Sequence, residues 1–370
     1  MTAGITPIVM PKWGLSMKEG TVIAWLVDER ADISVGMPIL EVETDKIANA
    51  VEAPDPGRLR RKIAAVGDLL PVKALLGVMA GDDVSDADID AYVAGYVTPA
   101  PADEDEEAEP AYQFIPVDGI RIRYARKGAA EGTPVLFIHG YGGDLDNWLF
   151  NIDAVAEKAP VIALDLPGHG QSDIALPGHS IPALAAFVVR FLDAIGVTRV
   201  HLVGHSMGAA IAAQMALNDG ARVASLALIS AAGLGAEING NYTEGFARSV
   251  SRRDLKPVLE LLFADTGLVS RQMIDDVLKY KRLDGVAALL AELGAALFAG
   301  GRQSEQPGLK LGAAPPVLVI WGLEDRIIPA THAEHAPAGS KVEILEAAGH
   351  MVQMERASDV NRLIVRHIGG

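Results

Sequence analysis

One acidic stretch constrains how this chain of 370 residues can fold. Residues 98–112 contain six acidic side chains, three prolines and no basic side chain. Like charges repel and proline stiffens the backbone, so this stretch cannot bury enough apolar surface to offset its conformational entropy. Fully extended, it would reach roughly 50 Å at ~3.3 Å per residue. We therefore expect a tether between separately folded domains, as the length of the chain also suggests.

The charge and the cysteine content exclude several classes of function. The net charge is −16, and residues 1–97 hold 9 basic and 15 acidic side chains. Nucleic acid is an unsuitable partner, because phosphate contacts need a basic surface. There is no cysteine, which excludes disulfides and thiolate sites and fits a reducing compartment. Without a signal-like N-terminus or ~18 consecutive apolar residues, the sequence predicts a soluble cytoplasmic protein that does not enter a membrane.

The part before the tether contains an internal repeat of β-rich sequence. Residues 20–22 and 33–35 are echoed 37 positions later, which predicts two similar all-β halves within residues 5–80. Near the join, residues 39–42 and 47–51 are predicted to form a hairpin whose turn carries Lys46. A lysine in such a turn has no packing role and points into water. It is usually a plain turn residue, but it is also open to modification.

This first part resembles the lipoyl domains of 2-oxo acid dehydrogenase complexes. The resemblance is carried by Met-Pro-Lys at 10–12, Gly-Leu-Ser-Met at 14–17, Glu-Gly at 19–20, Val-Glu-Thr-Asp-Lys at 42–46 and Glu-Ala-Pro at 52–54. It implies that Lys46 carries an amide-linked lipoate, a swinging dithiolane that is reduced as it takes up an acyl group. Residues 29–32 depart from the pattern, since such domains often have a glycine in that loop. We expect a lipoyl domain over 1–80, and a short helix plus an acidic Pro/Ala linker over 81–112.

After the tether, β-rich and helical runs alternate, which predicts an α/β sheet. The predicted strands are 120–124, 135–138, 161–164, 200–203, 223–229, 317–320 and 342–345. Helical runs follow at 181–195, 207–218 and 356–368, and the mostly helical residues 235–310 are predicted to be a lid over the sheet. The expected fold class is therefore multidomain, with an all-β sandwich followed by an α/β domain over 113–370.

A strand, a G-x-S-x-G sequence and a helix follow one another at residues 200–216, the context that a nucleophile elbow requires. This predicts Ser206 as a nucleophile, which needs a base held by an acid. His350 and Asp325 follow two later strands, in the chain order Ser, Asp, His that suits this fold. We expect His350 to act as general base and then acid, and Asp325 to fix its tautomer. The neighbouring Glu324 remains a competing acid.

An oxyanion needs two backbone donors. We expect one from Met207, directly after the nucleophile, and the other from the glycine-rich residues 139–143, with Tyr141 ahead of Gly142. Together with Asp165 to Ser172 and the Asn-Trp pair at 147–148, these motifs give residues 113–370 a close resemblance to the α/β-hydrolase family.

The remaining histidines are predicted to have structural roles. His332 and His335 lack a third metal ligand and are expected on an exposed helix, so no metal site is predicted. His205 is taken only to fill the variable position of the elbow. His169 and Asp173 form H-x-x-x-D, which is similar to the active-site motif of the core acyltransferases of large dehydrogenase complexes. In those enzymes a glycine follows the motif near the end of the chain. Here Ile174 follows it in mid-chain, so the match is discounted.

Over its full length the chain resembles the dihydrolipoamide acetyltransferase components of acetoin dehydrogenase complexes. The resemblance implies transfer of an acetyl group from the lipoyl arm to coenzyme A. It also implies two partners, a thiamine-diphosphate-dependent enzyme that cleaves acetoin and a dihydrolipoamide dehydrogenase. The densest basic group of the lid consists of Arg248, Arg252, Arg253 and Lys256. We expect this group to bind the coenzyme A phosphates, and the alternative is that it forms a solvated helix face.

Two other functions remain open at this point. A serine thioesterase or esterase would use the same acyl-serine, and a lipoyl carrier could use its hydrolase-like domain only as a scaffold. The sequence leaves open whether the chain forms a homo-oligomer, and it contains no obvious small domain for binding peripheral subunits.

Overall fold

The computed structural model describes residues 4–14, 17–44, 48–53, 55–99, 112–128, 131–312 and 315–369. The chain forms two compact units, Met1–Pro110 and Ala111–Gly370.

The first unit consists of two four-stranded sheets, in the orders β1-β8-β6-β3 and β5-β4-β2-β7. Its strands are β1 (Ile5–Val9), β2 (Glu19–Trp25), β3 (Asp32–Ile33), β4 (Pro38–Glu43), β5 (Ala48–Glu52), β6 (Gly57–Lys62), β7 (Leu69–Pro71) and β8 (Leu75–Ala80). Each sheet takes two strands from each half of the sequence repeat, and apolar side chains such as Met10, Leu40 and Leu59 fill the space between them. The predicted all-β sandwich is confirmed.

The predicted hairpin is formed by β4 and β5, which pair antiparallel as far as Glu43 opposite Ala48. Only residues 44–47 separate the two ends of this pairing. The predicted turn with Lys46 falls on residues 45–47, which lie outside the described residues.

The loop that departs from the lipoyl pattern contains a backbone conformation that favours glycine. Arg30 has φ 71°, in the left-handed region. Hydrogen bonds hold it there on both sides, since its amide donates to Leu59 O at 2.5 Å and its carbonyl accepts from Arg58 Nε at 2.8 Å.

The predicted short helix after the sandwich is α1 (Asp86–Gly95), and it packs on the first unit itself. Ser85 caps its N-terminus by accepting from the amide of Asp88, and Ile89 is buried against Leu75 and Val78. Arg60 of β6 adds an ion pair to Asp86 at 2.8 Å. The domain limit at residue 80 remains a prediction.

The second unit is built on an eight-stranded sheet in the order β16-β15-β14-β13-β11-β12-β10-β9. Its strands are β9 (Gln113–Val117), β10 (Ile120–Lys127), β11 (Val135–Ile138), β12 (Val161–Leu164), β13 (Val200–His205), β14 (Val223–Ile229), β15 (Val317–Gly322) and β16 (Lys341–Leu345). All seven predicted strands are present, and β11 to β16 pair in parallel apart from the antiparallel contact of β12 with β10. Strand β9 was not predicted, because it is a half-exposed edge strand with an internal proline and such strands lack an apolar pattern.

Helices cover this sheet and connect its strands. They are α2 (Ile152–Ala156), α3 (Ile181–Ala194), α4 (Met207–Asn218), α5 (Gly240–Arg248), α6 (Arg252–Leu259), α7 (Arg271–Lys281), α8 (Val286–Phe298), α9 (Val352–Glu355) and α10 (Ala357–Ile368). The three predicted helical runs correspond to α3, α4 and α10, and α5 to α8 lie between β14 and β15. The predicted fold class, an all-β unit followed by an α/β unit with a mostly helical insertion, is confirmed.

No single helix among the described residues is long and apolar enough to cross a membrane. Arg271–Lys281 and Val286–Gly301 meet the length and composition test only when taken as a pair, and they are bent by 93° relative to each other.

Candidate active site

Ser206 occupies a sharp turn between β13 and α4. Its φ of 54° and ψ of −119° are strained for a residue with a side chain, and the turn depends on the small neighbours at both ends. A Cβ at Gly204 would lie 2.4 Å from the carbonyl oxygen of Gly208, and one at Gly208 would lie 2.2 Å from that of Ile138. Only glycine fits at these positions, which explains why the strand, turn and helix carry the G-x-S-x-G sequence.

His350 and Asp325 form a buried pair. His350 Nδ1 lies 2.8 Å from Asp325 Oδ2, and the two side chains are 2% and 0% exposed. A carboxylate accepts hydrogen bonds, so Nδ1 carries the proton and Nε2 of His350 is left as the basic nitrogen. Backbone amides of Ile327 and Ile328 donate to the other carboxylate oxygen at 2.8 and 3.0 Å. These bonds fix the plane of the Asp325 carboxylate.

Glu324, the competing acid, makes a different contact. Its side chain is exposed and accepts a hydrogen bond from the amide of Ala348 at 3.0 Å. It therefore supports the loop that carries His350, while Asp325 bonds the imidazole.

The loop of His350 is tied to the insertion by Glu355. One Glu355 oxygen accepts from the amide of Gly349 at 2.7 Å, and the other accepts from Ala264 at 2.7 Å. Burial raises the pKa of this carboxyl, and the amide donors oppose that effect. The amide of Met351 also donates to Leu262 O at 3.0 Å, so the loop and residues 262–264 are held as one piece.

The glycine-rich loop after β11 lies beside the serine. A Cβ at Gly140 would approach the Cβ of Ser206 to 3.0 Å. Among the described residues, the amides of Tyr141 and Met207 have no hydrogen-bond acceptor, so both are available as donors. The Tyr141 hydroxyl donates to Leu290 O at 2.6 Å, which anchors this loop to α8.

Ser206 and His350 line the same cavity, of about 110 Å³. Its wall also includes the loop residues Gly140 to Gly143 and mostly apolar side chains from the insertion and from the residues after His350. The apolar residues are Tyr242, Phe246, Leu259, Leu262, Phe263, Met273, Val277, Met351 and Met354. The cavity thus combines a nucleophile, a base and candidate oxyanion donors within an apolar wall.

Two histidines differ from their predicted roles. His332 was expected to be exposed, but it is buried and its Nε2 lies 2.8 Å from Glu237 Oε2; His335 is exposed as expected. His205 was taken as filler, but it is buried beside His350 and contacts it. Among the described residues, no group of three or more His, Asp or Glu side chains is placed to hold a metal ion.

Most of the basic group proposed for coenzyme A is already paired. Arg248 contacts Glu244 at 3.2 Å, Arg252 bonds Asp275, and Lys256 lies 3.6 Å from Glu260. Arg253 is exposed and has no ion-pair partner among the described residues.

Three residues that support the site were not predicted from the sequence: Trp321, Glu355 and His205. Trp321 donates to Asp325, while Glu355 and His205 hold the backbone around His350. Only His205 carried a local signal, because it stands next to the predicted nucleophile.

Comparison with known proteins agrees with this architecture. Residues 6–79 match a family of biotin-requiring enzymes, and residues 133–357 match the alpha/beta hydrolase fold. The dihydrolipoyllysine-residue acetyltransferase component of the acetoin cleaving system of Cupriavidus necator is 63% identical over 99% of this chain and 98% of its own length. The chain belongs to this family of acetyltransferase components. The member from Pseudomonas putida is 47% identical over 97% of both chains.

Solved structures support the fold of the larger unit of this acetyltransferase component. A meta-cleavage product hydrolase from Pseudomonas fluorescens IP01 covers 70% of the chain with a TM-score of 0.62 and 24% identity, and 97% of that hydrolase is matched. A bacterial membrane phospholipase A covers 70% of the chain with a TM-score of 0.61 and 29% identity, and 86% of it is matched.

Proposed function

We propose that this protein accepts an acetyl group on lipoyl-Lys46 and transfers it to coenzyme A through an acetyl ester on Ser206, as the acetyltransferase of an acetoin cleaving system. The observation that carries the proposal is the buried Asp325–His350 pair facing the same cavity as the strained Ser206. Full-length similarity to acetyltransferase components adds the lipoyl unit and the acetoin system.

The first unit provides a suitable place for lipoate. Strands β4 and β5 pair as far as Glu43 and Ala48, and Glu43 and Thr44 line a groove of about 390 Å³ with Lys18 and Leu69. A lysine at the end of such a hairpin can form the amide. When bound, lipoate supplies a thiol that carries the acetyl group as a thioester.

In the first half of the reaction, Ser206 Oγ attacks the carbonyl carbon of the acetyl thioester while His350 Nε2 takes the serine proton. The amides of Met207 and Tyr141 stabilise the negative charge on the carbonyl oxygen. The carbon–sulfur bond then breaks, and His350 gives its proton to the departing thiol. The acetyl group remains as an ester on Ser206.

In the second half, His350 Nε2 takes the proton of the coenzyme A thiol, and the sulfur attacks the acetyl ester. The ester bond breaks, His350 returns the proton to Ser206, and acetyl coenzyme A leaves. Asp325 remains ionised and stabilises the imidazolium in both halves. Water is the competing acceptor, and the apolar wall formed by residues such as Phe246, Leu262 and Phe263 disfavours it.

The coenzyme A phosphates are proposed to bind at the lid cations. Arg253 should contribute most, because Arg248, Arg252 and Lys256 already have carboxylate partners. Arg253→Ala should raise the KM for coenzyme A more than Arg248→Ala does. An unchanged KM after replacing all four would remove the group from the site.

The proposed partners are a thiamine-diphosphate-dependent enzyme that supplies the acetyl group and a dihydrolipoamide dehydrogenase that reoxidises the arm. The cytoplasmic location predicted from the sequence stays a prediction.

The decisive experiment follows acetyl-dihydrolipoamide with the full-length protein, with and without coenzyme A. We expect formation of acetyl coenzyme A that is lost in Ser206→Ala. It should persist in Ser225→Ala, a buried serine whose hydroxyl contacts His201. If acetate is released at the same rate with and without coenzyme A, the protein is a thioesterase instead. Full transfer by Ser206→Ala would assign the larger unit a scaffolding role.

A further inference from the structure

His205 connects the strand of the nucleophile to the backbone of the base. It is the last residue of β13, directly before Ser206, and its side chain is buried. Its Nε2 lies 2.9 Å from the carbonyl oxygen of His350, and the two imidazole rings have centroids 4.7 Å apart. A carbonyl oxygen only accepts hydrogen bonds, so Nε2 of His205 carries a proton and donates a hydrogen bond to it.

We propose that His205 is a positioning residue, which sets the separation between Ser206 and His350 by holding the backbone carbonyl of His350. This inference rests on the proposed role of Ser206 and His350 and adds a residue that their reaction depends on.

The other contacts of this loop explain why that bond matters. Glu324, Glu355 and Leu262 accept hydrogen bonds from the amides of Ala348, Gly349 and Met351 respectively. These acceptors come from the loop after β15, from α9 and from the insertion. His205 instead comes from β13, so its bond relates His350 directly to the turn that holds Ser206. A buried carbonyl that loses its donor is costly, and the loop would be expected to shift.

His205 can hold the loop without competing for the reaction's proton. Burial lowers the pKa of His205 well below its ordinary value, and the neighbouring His350 lowers it further. Its second nitrogen, Nδ1, has no hydrogen-bond partner among the described residues. The backbone of Gly140 is close to it, since a Cβ there would lie 3.3 Å from Nδ1. A neutral His205 leaves the serine proton on His350.

Three substitutions in the full-length protein test this role. Glutamine places an N–H donor at the same number of bonds from the backbone as Nε2, whereas asparagine reaches only the position of Nδ1. Leucine removes the donor and keeps apolar bulk. Acylation of Ser206 is measured as the burst from p-nitrophenyl acetate, and transfer is measured from acetyl-dihydrolipoamide to coenzyme A.

We expect His205→Leu and His205→Asn to lower kcat for acylation by about 10- to 100-fold with KM changed little, because small misplacements of a catalytic group have effects of this size. His205→Gln should recover most of the loss. Equal losses in Gln and Asn, or a Leu variant as fast as wild type, would overturn the positioning role. If the Leu variant does not fold, the comparison of the Gln and Asn variants still tests the positioning role of His205.

The same measurements separate this inference from the proposed function. If the wild-type protein shows the ester burst but no transfer to coenzyme A, the transferase proposal is wrong. The effect of the His205 variants on the burst still tests the positioning role. A wild-type protein that releases p-nitrophenol from the ester no faster than Ser206→Ala would refute the role of Ser206 and that of His205 with it.

Discussion

The indole nitrogen of Trp321 donates a hydrogen bond to Oδ2 of Asp325 at 3.0 Å, the same oxygen that binds the imidazole of His350. Trp321 lies near the end of β15, and Asp325 lies in the loop that follows it. The indole also donates to Ile328 O at 3.1 Å, so this one side chain bonds two residues of the loop. The orientation of the acid therefore depends on a residue of the sheet.

Trp321→Phe should impair catalysis through Asp325. Hydrogen bonds to charged groups contribute about 1.5–3 kcal/mol, so we expect a comparable loss in the free energy of unfolding and roughly a tenfold lower kcat. Trp148→Phe is the matched control, because Trp148 is equally buried but its indole nitrogen has no partner among the described residues. Steady-state kinetics and denaturation of both variants check this. Similar losses in kcat would contradict the role of the Trp321 hydrogen bond.

The two adjacent carboxylates should differ greatly in their effect on activity. Asp325→Asn is expected to lower kcat by about 10⁴-fold, because an amide favours the wrong imidazole tautomer. Glu324→Gln should stay within several-fold of wild type, since among the described residues the Glu324 side chain accepts its hydrogen bond from the amide of Ala348 and does not contact His350. Transfer assays on both variants test this, and a larger loss in Glu324→Gln would reverse the assignment of the acid.

The larger unit should lose stability in mild acid. Burial lowers the pKa of His169 to about 4 and lowers those of His139 and His205 well below 6.5. Because the unfolded chain takes up these protons near pH 6.5 and the folded chain resists them, the stability present above pH 6.5 is lost as the pH falls toward 4. His169 alone should cost about 2 kcal/mol between pH 7.5 and pH 5.

Denaturant unfolding at pH 7.5 and pH 5 measures this loss. His169→Asn keeps a donor for Pro167 O, which lies 3.0 Å from Nδ1, but it cannot titrate in this range. We expect this substitution to reduce the pH dependence of the free energy of unfolding. An unchanged pH dependence in His169→Asn would contradict the assignment.

Arg30→Gly should stabilise the lipoyl-type unit. A side chain at φ 71° costs up to about 1 kcal/mol relative to glycine, although glycine also loses more entropy on folding. Arg30→Ala is the control, because it removes the same side chain but keeps the backbone strain. Thermal unfolding should rank Gly above wild type and Ala, and a Gly variant no more stable than Ala would show that strain at this position is negligible.

The sequence predicted those parts of the protein that depend on local pattern. Apolar runs identified seven strands of the larger sheet, and the residues around Ser206 identified the elbow, because each strand, turn and helix there is specified by neighbouring residues. The hairpin of β4 and β5 was predicted for the same reason. Edge strand β9 was not predicted, because its exposed residues and its proline break the apolar pattern that is typical of a buried strand.

Tertiary structure decided the distant contacts that the motif order of Ser206, Asp325 and His350 left open. Asp325 and Glu324 are neighbours in the chain, yet only the direction of each side chain in the folded loop places one on His350 and the other on Ala348. The contacts of His205 with His350 and of Glu355 with Ala264 join residues that are 145 and 91 positions apart. Such contacts are fixed by how the strands and the insertion pack, and no local pattern encodes that packing.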